Sequence, residues 1–268
     1  MIKLYNSDCI EVMNQLIEEG VKVDAVITDP PYNVSRPNNF QTMGSAARVG
    51  MDFGEWDKNF DLVSWINPMS KLLKENANVV IFNAWENLSA IKEACEKSNI
   101  MIKRCLVLSK SNPAPFNRDR MFVNDVEFAL WGVYNSKRKP SKWIFNRVNP
   151  VEKCVIPTSV QSSKLHPTMK DLKVISKLVH LLSNENDTVL DCFLGSGTTG
   201  VACKQMNRNF IGIELDKKYF DIASNRIEET NENTFACEQP AIEETVEFKQ
   251  QLAELNEEAD ESSMFDYE

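Results

Sequence analysis

Short apolar runs alternate with longer amphipathic stretches along most of this chain, and that alternation limits its fold more than any other feature. Residues 2–5 read as a strand, 9–19 as a helix and Val23–Thr28 as a buried strand. The pattern resumes with a helix over 62–73, a strand over 78–82 and a helix over 88–98. Residues 101–108 and 126–131 read as two further strands. Thr168-Met169-Lys170-Asp171 resembles a capping box, with Asp in place of Glu or Gln, and opens a helix to about Leu182. A strand at Thr188–Asp191, a glycine loop, a helix over 198–206, a strand over 210–213 and the helix Lys217–Glu229 follow. Strands separated by helices run parallel, with helices over both sheet faces. The expected fold is α/β with a mostly parallel sheet.

The strand Val23–Thr28 runs straight into Asp29-Pro30-Pro31-Tyr32. Each proline lacks a donor and has a fixed φ, so the strand must end there. The stop leaves a carboxylate, a proline carbonyl and an aromatic ring at the strand's carboxyl end, where open α/β sheets bind ligands. An amino group placed there could donate one hydrogen to Asp29 and the other to the Pro30 carbonyl. Tyr32 offers a face on which a planar base could stack. The set suits a planar ligand with an exocyclic amine, such as adenine or cytosine. Asp-Pro-Pro is also an ordinary way to end a strand, and an aromatic residue there can be simple packing.

A second strand end carries Asp191-Cys192-Phe193-Leu194-Gly195-Ser196-Gly197-Thr198-Thr199, which reads as strand, glycine turn, helix. Glycines allow close backbone approach, and the helix start offers free N–H donors. Gly-Lys-Ser/Thr is missing, so it is not a phosphate-binding P-loop, and the glycines do not fit G-x-G-x-x-G. Glu214 ends the next strand, 17 residues after Gly197, where an acid can accept both hydroxyls of a ribose. The pattern alone allows NAD, FAD or S-adenosylmethionine.

The formal charge of −9 divides unevenly. From residue 231 onward there are twelve acids and one base, Lys249, while the other 230 residues hold 29 Lys and Arg against 27 Asp and Glu. The body is therefore near neutral, and the tail reads as a separate acidic, flexible piece. Local basic patches can still serve a nucleic acid. Lys137, Arg138, Lys139, Lys142 and Arg147 lie in a run with no acid between Glu127 and Glu152, with Tyr134, Trp143 and Phe145 interleaved. The same run can be read as a solvated excursion. Two polar loops, 33–60 and 110–120, carry Arg36 and then Lys110, Asn112, Arg118 and Arg120. Seven scattered cysteines with no C-x-x-C, two lone histidines and no secretory pattern at the start point to reduced thiols, a cytoplasmic protein and no metal site. No apolar run is long enough for a membrane span.

Taken together, Asp29-Pro30-Pro31-Tyr32, His166-Pro167-Thr168, Asp191 to Thr199 and Glu214 resemble the S-adenosylmethionine-dependent DNA amino-methyltransferases, specifically the adenine-N6 enzymes of restriction–modification or phage type. The catalytic tetrapeptide precedes the glycine motif, as in the circularly permuted β group. The resemblance covers about residues 1–230 and implies a Rossmann-like class I methyltransferase fold with seven strands, one antiparallel. It implies S-adenosylmethionine as cofactor, held by Asp191, Phe193, Gly195, Ser196, Gly197 and Thr198 at its amino-acid part and by Glu214 at its ribose. It also implies Asp8 and Cys9 near the adenine ring, and Asp29, His166, Thr168 and Lys170 on the methionine side. Asp29, Pro30, Pro31 and Tyr32 would act on a flipped-out adenine in double-stranded DNA. A target-recognition insertion falls at about 133–160, a homodimer stays open, and no metal is implied. The competing readings are a cytosine-N4 enzyme, which usually has Ser first in the tetrapeptide, a protein-glutamine or RNA amine enzyme, and a non-catalytic DNA-binding module on the same fold.

Overall fold

A computed structural model describes residues 1–33, 59–113, 119–120, 122–137, 142–159, 169–232 and 234. The elements in chain order are β1 (Ile2–Asn6), α1 (Cys9–Glu18), β2 (Val23–Thr28), α2 (Ile66–Lys71), β3 (Leu73–Asn83), α3 (Leu88–Lys97), β4 (Ile100–Lys110), β5 (Val126–Tyr134), β6 (Val155–Thr158), α4 (Leu172–Leu182), β7 (Thr188–Asp191), α5 (Thr198–Gln205), β8 (Asn209–Glu214) and α6 (Lys217–Glu229). The strands form one sheet in the order β1-β8-β7-β2-β3-β5-β4-β6. β5 pairs antiparallel with both β3 and β4, and every other pairing is parallel. The sheet therefore has eight described strands, with the single reversed strand that the resemblance implies. β6 is the addition: four residues, Val-Ile-Pro-Thr, are too few to show a period, and only their register on β4 makes them a strand.

β2 lies near the centre, and five of its six residues are buried, four of them apolar. Trp65, Phe82, Phe210, Met13 and Leu16 are among the largest fully buried side chains. A cluster joining α1, α2, β3, β7 and β8 fills the core, and it holds the side chain of Cys9.

Two local expectations change. The helix expected over 62–73 shortens to α2 because Asp61 Oδ1 accepts from Val63 N and Ser64 N, making a turn, and because Leu73 already pairs with Val23. α4 is capped by Asp171, whose side chain accepts from Lys173 N, so the helix starts after the Thr168 box rather than at it. Residues 1–146 and 153–236 make one compact unit. Residues 147–152 belong to a second, where Glu152 Oε1 accepts from Val148 N and Asn149 N, and Arg147 Nη1 donates to the Pro150 carbonyl.

Candidate active site

Parallel strands deliver their last residues to one edge of the sheet. Here that edge receives Asp29 after β2, Asp191 at the end of β7 and Glu214 at the end of β8, from three successive neighbours in the sheet. The two sequence motifs touch directly. Thr28 Oγ1 donates to Asp191 Oδ1 at 2.8 Å and accepts from Cys192 N at 3.1 Å. Phe193 N donates to the same carboxylate oxygen at 3.1 Å.

Burial pushes Asp191 up from 3.8 to about 7; bonds from Thr28, Phe193 and Thr199 oppose that shift, and the charge of Asp29 adds to it. Glu214 is likewise raised, first by burial, while backbone donors lower it. Its two oxygens are braced by Gly195 N at 2.8 Å and Asp216 N at 2.9 Å. Gly195 and Gly197 both have positive φ, 52° and 77°, and a Cβ on Gly197 would meet Ala223 Cβ at 2.9 Å. These two glycines are therefore required by conformation, and the second also by packing. Ser196 and Thr198 are buried beside them, their hydroxyls 3.1 Å apart, and Arg226 donates to the Ser196 carbonyl. A carboxylate beside a helix start and a second, braced carboxylate on the next strand fit a ligand carrying an ammonium and a diol.

Asp8 caps α1, its Oδ1 accepting from Ile10 N and Glu11 N. The Cys9 thiol is buried and pushed up to about 12, first by burial, which leaves its backbone as the part that could serve a ligand.

Around Asp29 the structure joins Tyr32 and Lys170 to three residues that sequence did not point to, Asn83, Asn87 and Glu127. Tyr32 Oη donates to Asp29 Oδ1 at 2.5 Å. Burial, then the neighbouring Asp29, raises the phenol well above its usual value. Asn87 Nδ2 holds the Tyr32 carbonyl at 2.8 Å and Asn83 Oδ1 at 2.7 Å. Lys170 reaches the tetrapeptide. Its ammonium donates to Asp29 Oδ2 at 2.6 Å and lies 3.2 Å from Tyr32 Oη and 3.5 Å from Glu127 Oε2. Burial would lower its pKa, but Asp29, Tyr32 and Glu127 outweigh that and hold it well above the usual value. Glu127 also receives Lys110 at 2.9 Å, and the attraction of Lys170 pulls its pKa down against burial. An acid at the first turn of a strand that abuts a sheet edge was the available signal for Glu127, but only with the strand's direction known.

The described part of the basic run stands away from Asp29. β5 is reversed, so it starts at the edge that holds Asp29 and ends at the opposite one. Lys137 follows its end, where Asn135 N bonds the Asn99 carbonyl just before β4. The chain after Lys142 stays there: Asn78 Nδ2 donates to the Ile144 carbonyl, and Asn146 N to the Leu181 carbonyl. Nine strand residues separate the two edges by about 30 Å. Trp143 and Phe145 pack on Trp131, with centroids 6.4 and 5.5 Å away, and Lys103 lies over Trp143. They cover the sheet rather than offer free stacking faces. Lys110 and Asn112 instead lie at or just after the end of β4, on the same edge as Asp29, in the loop that continues to Arg120. Arg36, Arg118, Arg138, Lys139, His166 and Thr168 lie outside the described residues. Among the described residues no His, Cys, Asp and Glu cluster could hold a metal, and no helix is long and apolar enough to cross a membrane.

A central parallel sheet with carboxylates at the ends of three adjacent strands, beside a left-handed glycine turn, defines a class I methyltransferase. The family described as DNA methylase (N6_N4_Mtase) matches residues 23–225, and the chain belongs to it. It is an S-adenosylmethionine-dependent DNA methyltransferase. It is 29% identical over 246 residues to the Type II methyltransferase M2.DpnII of Streptococcus pneumoniae, covering 85% of this chain and 90% of that one. It is also 29% identical over 254 residues to M.HinfI of Haemophilus influenzae, covering 86% and 69%. Among solved structures, the M1.HpyAVI–SAM complex matches with a TM-score of 0.69 at 37% identity, over 85% of this chain and 99% of that one. The cytosine-N4-specific PvuII methyltransferase shares the fold, with a TM-score of 0.63 at 16% identity, over 88% of each chain.

Proposed function

We propose that this chain transfers a methyl group from S-adenosylmethionine to N6 of a flipped-out adenine at a specific site in double-stranded DNA, as the modification arm of a restriction–modification system. The observation that carries this reading is the Thr28–Asp191 bond, which ties the amine-directed tetrapeptide to the glycine motif at one sheet edge. Residues 1–230 form the catalytic domain and residues 231–268 an acidic tail.

The amine donates one hydrogen to Asp29 and the other to the Pro30 carbonyl, which localises a lone pair otherwise delocalised into the ring. Pro31 fixes the turn, and Tyr32 stacks on the base. Positioning the amine in line with the methyl does much of the work. Asp191 takes the cofactor's ammonium, the start of α5 its carboxylate and Glu214 its ribose hydroxyls; the bound cofactor supplies an electrophilic methyl. Asp at the first tetrapeptide position favours adenine over cytosine. The DNA comes to the edge carrying Lys110 and Asn112, with Arg120 a further phosphate partner, because a base held at Asp29 keeps its duplex on that side.

Tritiated-methyl transfer to DNA, with methylome sequencing of an otherwise methylation-free host expressing the chain, tests this reading. N6-methyladenine confined to one sequence motif is expected. N4-methylcytosine would change the target, and no incorporation would refute the reading.

A further inference from the structure

Lys170 occupies the place that the target amine needs. Its ammonium bonds one Asp29 oxygen at 2.6 Å and lies 3.2 Å from the Tyr32 hydroxyl. It thus takes an acceptor that the amine needs, beside the hydroxyl of the stacking residue. The lysine side chain is only 11% exposed, so it cannot simply swing into water, and it needs a second carboxylate. Glu127 supplies one at 3.5 Å. Glu127 in turn is held by Lys110 at 2.9 Å. The four groups form an alternating line, Lys110–Glu127–Lys170–Asp29, from the end of β4 to the catalytic carboxylate.

We infer that this line is a latch in which Lys170 guards Asp29 until DNA arrives and then moves onto Glu127, leaving Asp29 to the target base. The inference rests on the methyltransferase reading and adds a residue that selects when the site opens. A phosphate of incoming DNA draws Lys110 from Glu127, because a cation at the end of β4 faces the side from which the duplex approaches. Glu127 then has only Lys170 to neutralise. The amine, a donor itself, replaces the ammonium on Asp29. Methyl transfer places positive charge on the base nitrogen, so an ammonium retained beside it would oppose the reaction; one parked on Glu127 is further away and neutralised.

The test is a double-mutant cycle read by steady-state methyl transfer, with cofactor affinity measured alongside. Glu127→Gln removes the charge that receives Lys170, so kcat/KM for DNA should fall by about tenfold, the scale of one charge-assisted bond. With Lys170→Met already in place, Glu127→Gln should change kcat/KM by no more than about twofold. Lys170→Gln, which keeps a donor for Asp29, provides the same cycle should the methionine variant not fold. Two losses that multiply in the double variant would overturn the latch. So would a Lys170 variant that has lost cofactor binding, since that returns Lys170 to the cofactor. Absence of methyl transfer by the wild-type chain would instead refute the methyltransferase reading, and the latch with it.

Discussion

Thr28→Val removes a hydroxyl and replaces it with a methyl of nearly the same size, so no cavity forms. The hydroxyl donates to Asp191 at 2.8 Å and accepts from Cys192 N at 3.1 Å, fully buried. A bond to a charged group is worth about 1.5–3 kcal/mol, and a buried N–H left without a partner costs about 1–3 kcal/mol. The two share one atom and will not add in full, so a loss of about 3 kcal/mol is expected at pH 8, where Asp191 is ionised. For a domain of this size that lowers the melting temperature by about 6–12 °C. Ligand binding should respond as well. Asp191 stands at about 7, and the Thr28 bond is the largest influence holding it down against burial. Without that bond it rises further, less of it is ionised at neutral pH, and the cofactor's ammonium loses its partner. Calorimetry should show S-adenosylmethionine binding the variant more weakly at pH 7, with the deficit narrowing as pH rises. A variant melting within about 2 °C of wild type, with unchanged affinity at pH 7, would refute the reasoning.

The wild-type protein without cofactor should lose stability as pH rises from about 4 to 7: the folded Asp191 keeps a proton that the unfolded chain, with its carboxyl at 3.8, gives up, and denaturant melts across that range check the sign. Asp29→Ala should lower turnover by orders of magnitude with cofactor affinity kept, and single-turnover methyl transfer beside calorimetry separates the two. Glu214→Gln should weaken S-adenosylmethionine binding by roughly tenfold, since a charged acceptor of two hydroxyls becomes neutral; unchanged affinity would remove Glu214 from the pocket. Neutralising Lys110 and Arg120 should lower the slope of DNA affinity against salt by roughly 2, while neutralising Lys137 and Lys142 should leave it unchanged, as fluorescence anisotropy over a salt series would show.

What could be read from sequence was what local chemistry decides. A strand that meets two prolines ends whatever surrounds it, so β2 and Asp29 were legible, and so were Asp191, the glycine turn and Glu214, where strand, glycines and helix follow within a few residues. α4 was legible in its apolar stripe but not in its cap, because Thr168 and Asp171 are both competent by residue type and the cap is Asp171. Lys170 and Asp29 are 141 residues apart, and no periodicity couples them. Lys170 and Asp29 were therefore each visible in sequence, while their pairing was not.

One topological fact accounts for the remaining differences. Strand direction is decided by pairing, and β5 reads the same in either sense. Because it runs opposite to its neighbours, its first residues stand at the edge that holds Asp29. Glu127 thereby meets Lys110 and Lys170, although nothing near it in sequence marks it as a site residue. The same reversal sends Lys137 to the far edge, although its basic surroundings made it the more conspicuous candidate. Were β5 parallel, the basic run would stand at the mouth of the site and Glu127 some 30 Å behind it. Lys170 would then have no second carboxylate to receive it, and the line from Lys110 to Asp29 could not exist.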